Sequence, residues 1–529
     1  MMQAGETLSK ALNRLGFYTL MYPEYPSRIR GGDNHIQVVF SSEKYIAPSE
    51  KIDLLLAFGK ENYKTHSKEQ EGSEETKGQG KYEAGEIGLN KIAEELGNPL
   101  VLNTAGLGFI WKILGLEIKV LKEQLSEDFA DKEEIKALNI KAAEMGFEKA
   151  PTSPSQTWFR GVNKKIVNLT GNEALVKGIL EAGCDFAAIY PMTPINEILR
   201  LLVKTKINFF RPEDEIAGIN TAIGAAFAGG RAMVATSGGG FALMTEALGM
   251  AGMAEIPVVV VLGQRTGPST GMATFSSQAD LNFTISAGQG EFPRIILAPG
   301  DLGEAYHLGV EAFNLAEIYQ VPVILLTDKY LAETRFSTKA EGLEKKIVIN
   351  RGKLFKGTGE YKRYEFTKDG ISPRAFPGET TFLTNSYEHD ESGFASDDAE
   401  NREKMMTKRM KKLEKLEEAL GGVEEFEGTK GWDKGTTLIG WGSTKEIILD
   451  VLKGFPEFNF IHFWRLWPFP QKAKEILAKT KKLVVIEGNF SGQLADLIEK
   501  ETGLKSKRIL KDNGRPFFKE ELITWMKKI

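Results

Sequence analysis

The chain has one cysteine, Cys184, among 529 residues. A single thiol forms no internal disulfide and cannot supply the roughly four thiolates that hold an iron–sulfur cluster. Histidine is scarce too: His35, His66, His307, His389 and His462 lie far apart in sequence, with no metal-ligand spacing. No metal is therefore expected on this chain, and any redox metal that serves it belongs to another. No apolar run reaches the roughly 18 residues of a membrane-spanning helix, and MMQAGETLSK is no signal peptide, so cytoplasm is the expected compartment. Charge of one sign is lacking as well. A net charge of −4 gives no hint of nucleic acid or of an anionic membrane surface. No Walker A sequence occurs, and neither SGGGFALM (237–244) nor GLGFIW (106–111) matches G-x-G-x-x-G.

What is present is a soluble-type composition, 42% hydrophobic, long enough for several cores. A length of about 150 residues per domain suggests three or four domains. The first region, to about residue 148, mixes a helix (5–15) with strands (35–40, 52–58 and 99–103). A charged segment, 60–81, lacks apolar periodicity and reads as a loop.

Residues 168–336 alternate regularly. Short apolar runs at 185–190, 232–236, 257–262, 294–297 and 322–326 are separated by helical patterns at 215–228, 241–251 and 301–319. Wholly apolar strands alternating with helices indicate an α/β fold with a parallel, doubly wound sheet. In such sheets ligands bind beyond the carboxyl ends of the strands. A Gly-, Pro-, Tyr- and Phe-rich stretch follows from 337, then a charged helix at 401–420. Its i,i+4 charges suit a solvated face; docking on a partner is the alternative. Residues 436–529 return to strands and helices and form another small α/β unit.

The strand ends of the second region carry the chemistry. PMTPINE follows Tyr190, RPEDEIAGIN follows Phe210, SGGG follows Thr236, and GQRTGPSTGM follows Leu262. By local rules Thr193 is a helix N-cap with proline after it. Glu213, Asp214 and Glu215 offset the helix macrodipole. SGGG is a tight turn with close helix–strand approach, or a phosphate cradle. Arg265 is either exposed or placed to hold a carboxylate by paired hydrogen bonds. A second reading of Glu215 is a carboxylate held at the tip of a helix of small residues, where it polarises a heterocycle.

Taken in order, YPMTP (190–194), EDEIAGINTAIGAAFAGGRAMVATSGGG, RTGPSTG, KRYEFTKDGISPRAFPG (362–378), SYEHDESG (386–393) and EGNFSGQL (487–494) resemble the 2-oxoacid:ferredoxin oxidoreductase family. The match is to the alpha subunit with a fused gamma domain. The resemblance implies a gamma-type α/β domain at 1–160, a thiamine diphosphate pyrimidine-binding domain at 165–340, a charged connection at 341–432, and a transketolase C-terminal-like domain at 433–529. It implies oxidative decarboxylation of a 2-oxoacid, 2-oxoglutarate or pyruvate, to acyl-coenzyme A with electrons passed to ferredoxin. The KRYEFTKDGISP stretch resembles enzymes labelled for 2-oxoglutarate.

By the same resemblance, thiamine diphosphate is shared with a beta subunit that holds Mg2+ and the iron–sulfur cluster. The strings GGDN (31–34) and PGDL (299–302) do not continue as a GDG-type diphosphate motif. Glu215 hydrogen-bonds the aminopyrimidine ring and drives removal of the thiazolium proton. Thr193, with Tyr190 beside it, faces cofactor and substrate. Arg265 holds the 2-oxoacid carboxylate, with Ser269 and Thr270 as supporting donors. Arg30 is a candidate contact to coenzyme A, and Asn489 and Gln493 either face a neighbouring domain or simply pack.

The family's gamma domain opens with a strand and a glycine-rich loop ahead of the helix that GETLSKALNRLG matches. A chain starting at MMQAGETLSK is expected to lack them, through a late start codon or a loss, and to leave two strand edges unpaired. Two rival functions stay open: another thiamine-dependent decarboxylase or transketolase component, and a noncatalytic assembly subunit.

Overall fold

The computed structural model describes residues 1–27, 32–67, 80–151, 165–343, 347–357 and 359–529. They form two compact units. One contains Met1–Leu169, Thr334–Ala340 and Phe517–Ile529; the other contains Thr170–Glu333 and Glu341–Pro516.

In the first unit the helix Met2–Arg14 buries Leu8 and Leu12 against Trp111, Leu121 and Leu125. A four-stranded sheet runs in the order His35–Ser41, Tyr18–Glu24, Arg335–Lys339, Ile166–Thr170. The strand Tyr18–Glu24 is paired antiparallel on both sides. Ser337, from the distant Arg335–Lys339 strand, bonds the backbone N–H and the hydroxyl of Thr19, and Asn13 donates to it.

Two local expectations change here. Residues 99–103 are not a strand: Pro99–Val101 is a 3-10 turn opened by the Asn98 side chain, which accepts from the Leu100 N–H and leads into the helix Leu102–Ile113. Part of the charged segment is ordered as the helix Lys60–His66; residues 68–79 lie outside the described residues. GLGFIW also finds its role in packing. A Cβ on Gly108 would stand 1.9 Å from the Ala143 carbonyl oxygen, and one on Gly146 1.9 Å from that of Ala105. The helices Leu102–Ile113 and Glu133–Lys149 cross backbone against backbone, which only glycine permits.

The second unit is built on a seven-stranded sheet. Its order is Arg465–Trp467, Ile295–Leu297, Pro322–Asp328, Val258–Gln264, Ala232–Thr236, Phe186–Ala188, Asn208–Phe210. Every neighbouring pair is parallel except the first, where Arg465–Trp467 adds antiparallel at the edge. The central strands are wholly buried, as a sheet covered on both faces requires. The helices Glu215–Phe227, Gly238–Met253 and Leu302–Tyr319 stand where the apolar periodicity placed them.

A five-stranded sheet belongs to the same unit, in the order Val423–Phe426, Asn459–Phe463, Thr436–Trp441, Lys482–Glu487, Lys507–Leu510, parallel apart from its first pair. Asn489 donates to the Gln278 carbonyl and Gln493 to that of Ala279, tying this sheet's EGNFSGQL loop to the segment after Val258–Gln264. PGDL is a helix start: Asp301 caps Leu302–Tyr319 and pairs with Lys445.

The charged helix departs most from expectation. It spans Ala399–Lys411; one side is solvated, with the exposed i,i+4 pair of Lys404 and Glu400, but the opposite side is not. Met405, Lys408, Arg409 and Lys412 are buried. Lys408 and Lys412 both reach the fully buried Glu255 carboxylate, at 2.7 and 2.6 Å, while Arg409 holds Glu388. Arg363 donates to the Glu255 carbonyl. The helix is thereby clasped to the core by buried ion pairs, and the segment of Arg363 by a hydrogen bond to the Glu255 backbone.

Candidate active site

Four loops leave the carboxyl ends of the main-sheet strands and touch one another. After Phe186–Ala188 the chain runs through YPMTP. The helix that follows is Asn196–Leu202, and Ile195, not Thr193, occupies its N-cap position. The helix-cap reading of Thr193 is therefore wrong: Ile195 donates its N–H to the Met192 carbonyl, which makes a turn of residues 192–195 and sets Thr193 ahead of the helix. The Thr193–Pro194 bond is cis. Each residue of this turn meets a different neighbour. Met192 touches the Ser237 hydroxyl, Pro194 lies against Gly263, and the Thr193 carbonyl accepts from Arg265 Nη1 at 3.1 Å. Half-buried Arg265 is held here by its own strand end, and burial lowers its pKa. One of its five N–H donors is committed to Thr193, and the geometry of a planar fork suits the rest to a carboxylate.

Glu215 occupies the first turn of Glu215–Phe227. Asp214 is the cap, accepting from the Ala217 N–H at 2.8 Å, so Glu215 is not needed for that task. A carboxylate that merely offsets the macrodipole stays in water, yet Glu215 is 4% exposed. Its Oε1 has no hydrogen-bond partner among the described residues. Leaving a buried carboxylate oxygen unpaired costs about 1–3 kcal/mol or more, a cost that a site built for a ligand donor recovers on binding.

Gly240 explains how the acid is seated. A Cβ there would stand 2.1 Å from Thr236 Oγ1 and 2.6 Å from Glu215 Oε1. The SGGG run thus brings the start of Gly238–Met253 against the carboxylate, the close approach that glycine allows.

One titratable neighbour escapes the sequence reading. Asp280 lies against the same helix start, with its Oδ2 2.9 Å from where a Gly238 Cβ would be. Its backbone N–H donates to buried Gln264, itself the last residue of a central strand. Burial pushes the Asp280 carboxyl up to about 6. SSQAD offers no spacing signal for this; the position follows only from the fold.

Other expected residues are less engaged. Tyr190 is 37% exposed at the loop's entrance. Ser269 and Thr270 are exposed, Ser269 in the left-handed region at φ 54°, just past the cis Gly267–Pro268 bond. Arg30 lies outside the described residues.

Known proteins resemble the chain over most of its length. The family model described as "Pyruvate flavodoxin/ferredoxin oxidoreductase, thiamine diP-bdg" matches residues 177–408, which include Thr193, Glu215, Arg265 and Asp280. The model "Pyruvate ferredoxin/flavodoxin oxidoreductase" matches residues 1–149. The 2-oxoacid:ferredoxin oxidoreductase subunit alpha of a Sulfolobus species is 34% identical, over 98% of this chain and 93% of its own length. Subunit alpha of 2-oxoacid:ferredoxin oxidoreductase 2 from Aeropyrum pernix is 37% identical over 83% of this chain and 74% of its own. The solved 2-oxoglutarate:ferredoxin oxidoreductase of Magnetococcus marinus, with 2-oxoglutarate, coenzyme A and succinyl-CoA bound, superimposes with a TM-score of 0.90 at 32% identity, over 100% of this chain and 97% of that one. With relatives of this similarity matched over nearly their whole length, the chain belongs to the 2-oxoacid:ferredoxin oxidoreductase family, as its alpha subunit.

Proposed function

We propose that this chain is the alpha half of a coenzyme A-acylating 2-oxoacid oxidoreductase, with 2-oxoglutarate the first candidate substrate and pyruvate the second. The net reaction converts 2-oxoacid and coenzyme A to acyl-coenzyme A and CO2, and two electrons pass to ferredoxin. The observation that carries the reading is the buried, unpartnered Oε1 of Glu215 at a rim shared with Thr193 and Arg265.

Thiamine diphosphate, when bound, supplies the carbon nucleophile and the electron sink that an amino-acid side chain cannot. Glu215 fits it: a carboxylate oxygen with an unused lone pair, held rigidly beside Gly240, is what an aminopyrimidine ring donor needs. Its role is to hold a proton at the ring edge and so bias the cofactor toward deprotonation at its reactive carbon. Arg265 anchors the substrate carboxylate by charge-assisted hydrogen bonds. The Thr193 hydroxyl, set ahead of the helix and not spent on a cap, orients the ketone. Asp280 holds or releases a proton beside the Gly238 helix start. Ser269 and Thr270 line the same loop as supporting donors, and Tyr190 shields the entrance. We assign residues 165–340 to pyrimidine binding, 433–529 to the transketolase C-terminal-like part and 1–160 to the gamma-type part. The diphosphate, Mg2+ and the iron–sulfur cluster fall to a beta subunit, since one buried cysteine holds no cluster.

The test is viologen or ferredoxin reduction by the chain copurified with its partner, over a panel of 2-oxoacids with and without coenzyme A. Reduction that requires both substrates is expected, fastest with 2-oxoglutarate. CO2 release without reduced viologen would identify a nonoxidative decarboxylase instead, and no turnover of any 2-oxoacid would leave an assembly role.

A further inference from the structure

Histidines that the sequence separates are brought together in the first unit. His35 opens the strand His35–Ser41, and His66 ends the helix Lys60–His66. Their rings meet edge to face, 4.8 Å between centroids. Asp33 joins them: its Oδ2 lies 2.5 Å from His66 Nε2. One ligand atom from each of the three residues lies within 4.8 Å of the others. We infer that Asp33, His35 and His66, all within the first compact unit, form a binding site for a divalent transition-metal ion, zinc being the first candidate.

The donor set is right in kind. Two imidazoles and one carboxylate suit zinc or another first-row ion, with a position left for water. Donors 2.0–2.1 Å from a tetrahedral ion stand about 3.3 Å apart, so the trio needs only side-chain rotation to close. The surroundings are right as well. Asn62 donates to Asp33 Oδ1 at 2.5 Å, holding the carboxylate by the oxygen that faces away from His66. Such outer partners orient metal ligands. Glu24 stands directly across from His35 in the strand pair and is itself buried, which adds negative charge beside the site. Finally, the pair of Asp33 with His66 would satisfy a simple hydrogen bond without His35. The third donor, presented from a different element, is what a metal requires and a hydrogen bond does not.

The experiment uses the full chain without a histidine tag, stripped with chelator and dialysed against zinc. About one zinc per chain should remain by mass spectrometry, and the zinc X-ray absorption edge should report imidazole and carboxylate ligands at about 2.0–2.1 Å. His35→Gln and His66→Gln should each weaken binding in calorimetry by more than about 100-fold, and Asn62→Ala by about 10–100-fold, the range for losing an outer partner. His307→Gln, elsewhere in the molecule, should change nothing. Because His66 is buried, the half-buried His35 variant and the wild-type absorption spectrum carry the test if His66→Gln does not fold. Zinc lost on dialysis, bound equally by folded His35→Gln, or held by ligands other than imidazole would overturn the inference.

Discussion

At the residue scale, the site separates groups that local rules treat alike. Asp214 and Glu215 are neighbouring acids in one helix start, yet only Asp214 caps it, and Glu215 is buried with an oxygen to spare. Arg265→Ala should raise the KM for the 2-oxoacid about 10–100-fold, the loss of a charged hydrogen-bonded contact, and leave that for coenzyme A unchanged. Equal effects on both would remove Arg265 from the carboxylate site. Thr193→Ala should slow turnover about tenfold or more but shift stability by no more than about 0.5 kcal/mol, because the hydroxyl caps nothing. A thermal melt beside the kinetics separates the two. Asp280 gives a pH signature. Its carboxyl is raised from 3.8 to about 6 by burial, so the folded state holds that proton more tightly than the unfolded chain. Its contribution to stability is present at low pH and is lost as pH rises through that window. The difference in Tm between wild type and Asp280→Asn should therefore change between pH 4 and 7; a constant difference would remove the assignment. YPMTP and RTGPSTG named Thr193 and Arg265 as candidates because their loops leave strand ends. Burial of Glu215 and the presence of Asp280 were not legible, since both depend on Gly240 and Gly238 letting a helix start come close.

At the element scale, the Ala399–Lys411 helix shows where charge patterning misleads. A run such as MMTKRMKKLEK reads as solvated because lysine is nearly always exposed. Here one carboxylate, Glu255, gathers Lys408 and Lys412 in the interior. Burial opposes charge on all three. The two lysines, with Arg363, nevertheless hold the Glu255 carboxyl far below the usual range, while burial drives Lys412 down. Glu255→Gln strands two buried ammonium groups, and denaturant unfolding should show a loss of about 3–5 kcal/mol. Replacing all three, as in Glu255→Gln with Lys408→Met and Lys412→Met, should recover much of that, since apolar substitutes for a buried ion network are often neutral. A triple variant as unstable as the single one would mean that the network does more than compensate its own burial.

At the scale of the whole molecule, alternation of apolar strands with small-residue helices made the parallel sheet legible from 185 to 326. Pairings between distant segments were not. Arg465–Trp467 extends the main sheet and Arg335–Lys339 fills the side of Tyr18–Glu24. Nothing local marks either, because a three- to five-residue strand finds its register only against its partner. The same limit hid Asp33, His35 and His66 from sequence spacing. In the function we propose, roles are distributed in the same way: the chain's own groups position and polarise, and the partner supplies diphosphate binding and the electron path. The central claim is that Glu215 activates the cofactor. Exchange of the C2 proton of thiamine diphosphate with D2O, measured in the complex with its partner, tests it most directly. Wild type should exchange rapidly, and Glu215→Gln, folded and still binding the cofactor, should exchange at least about 100-fold more slowly. Exchange at the wild-type rate in that variant would contradict the account.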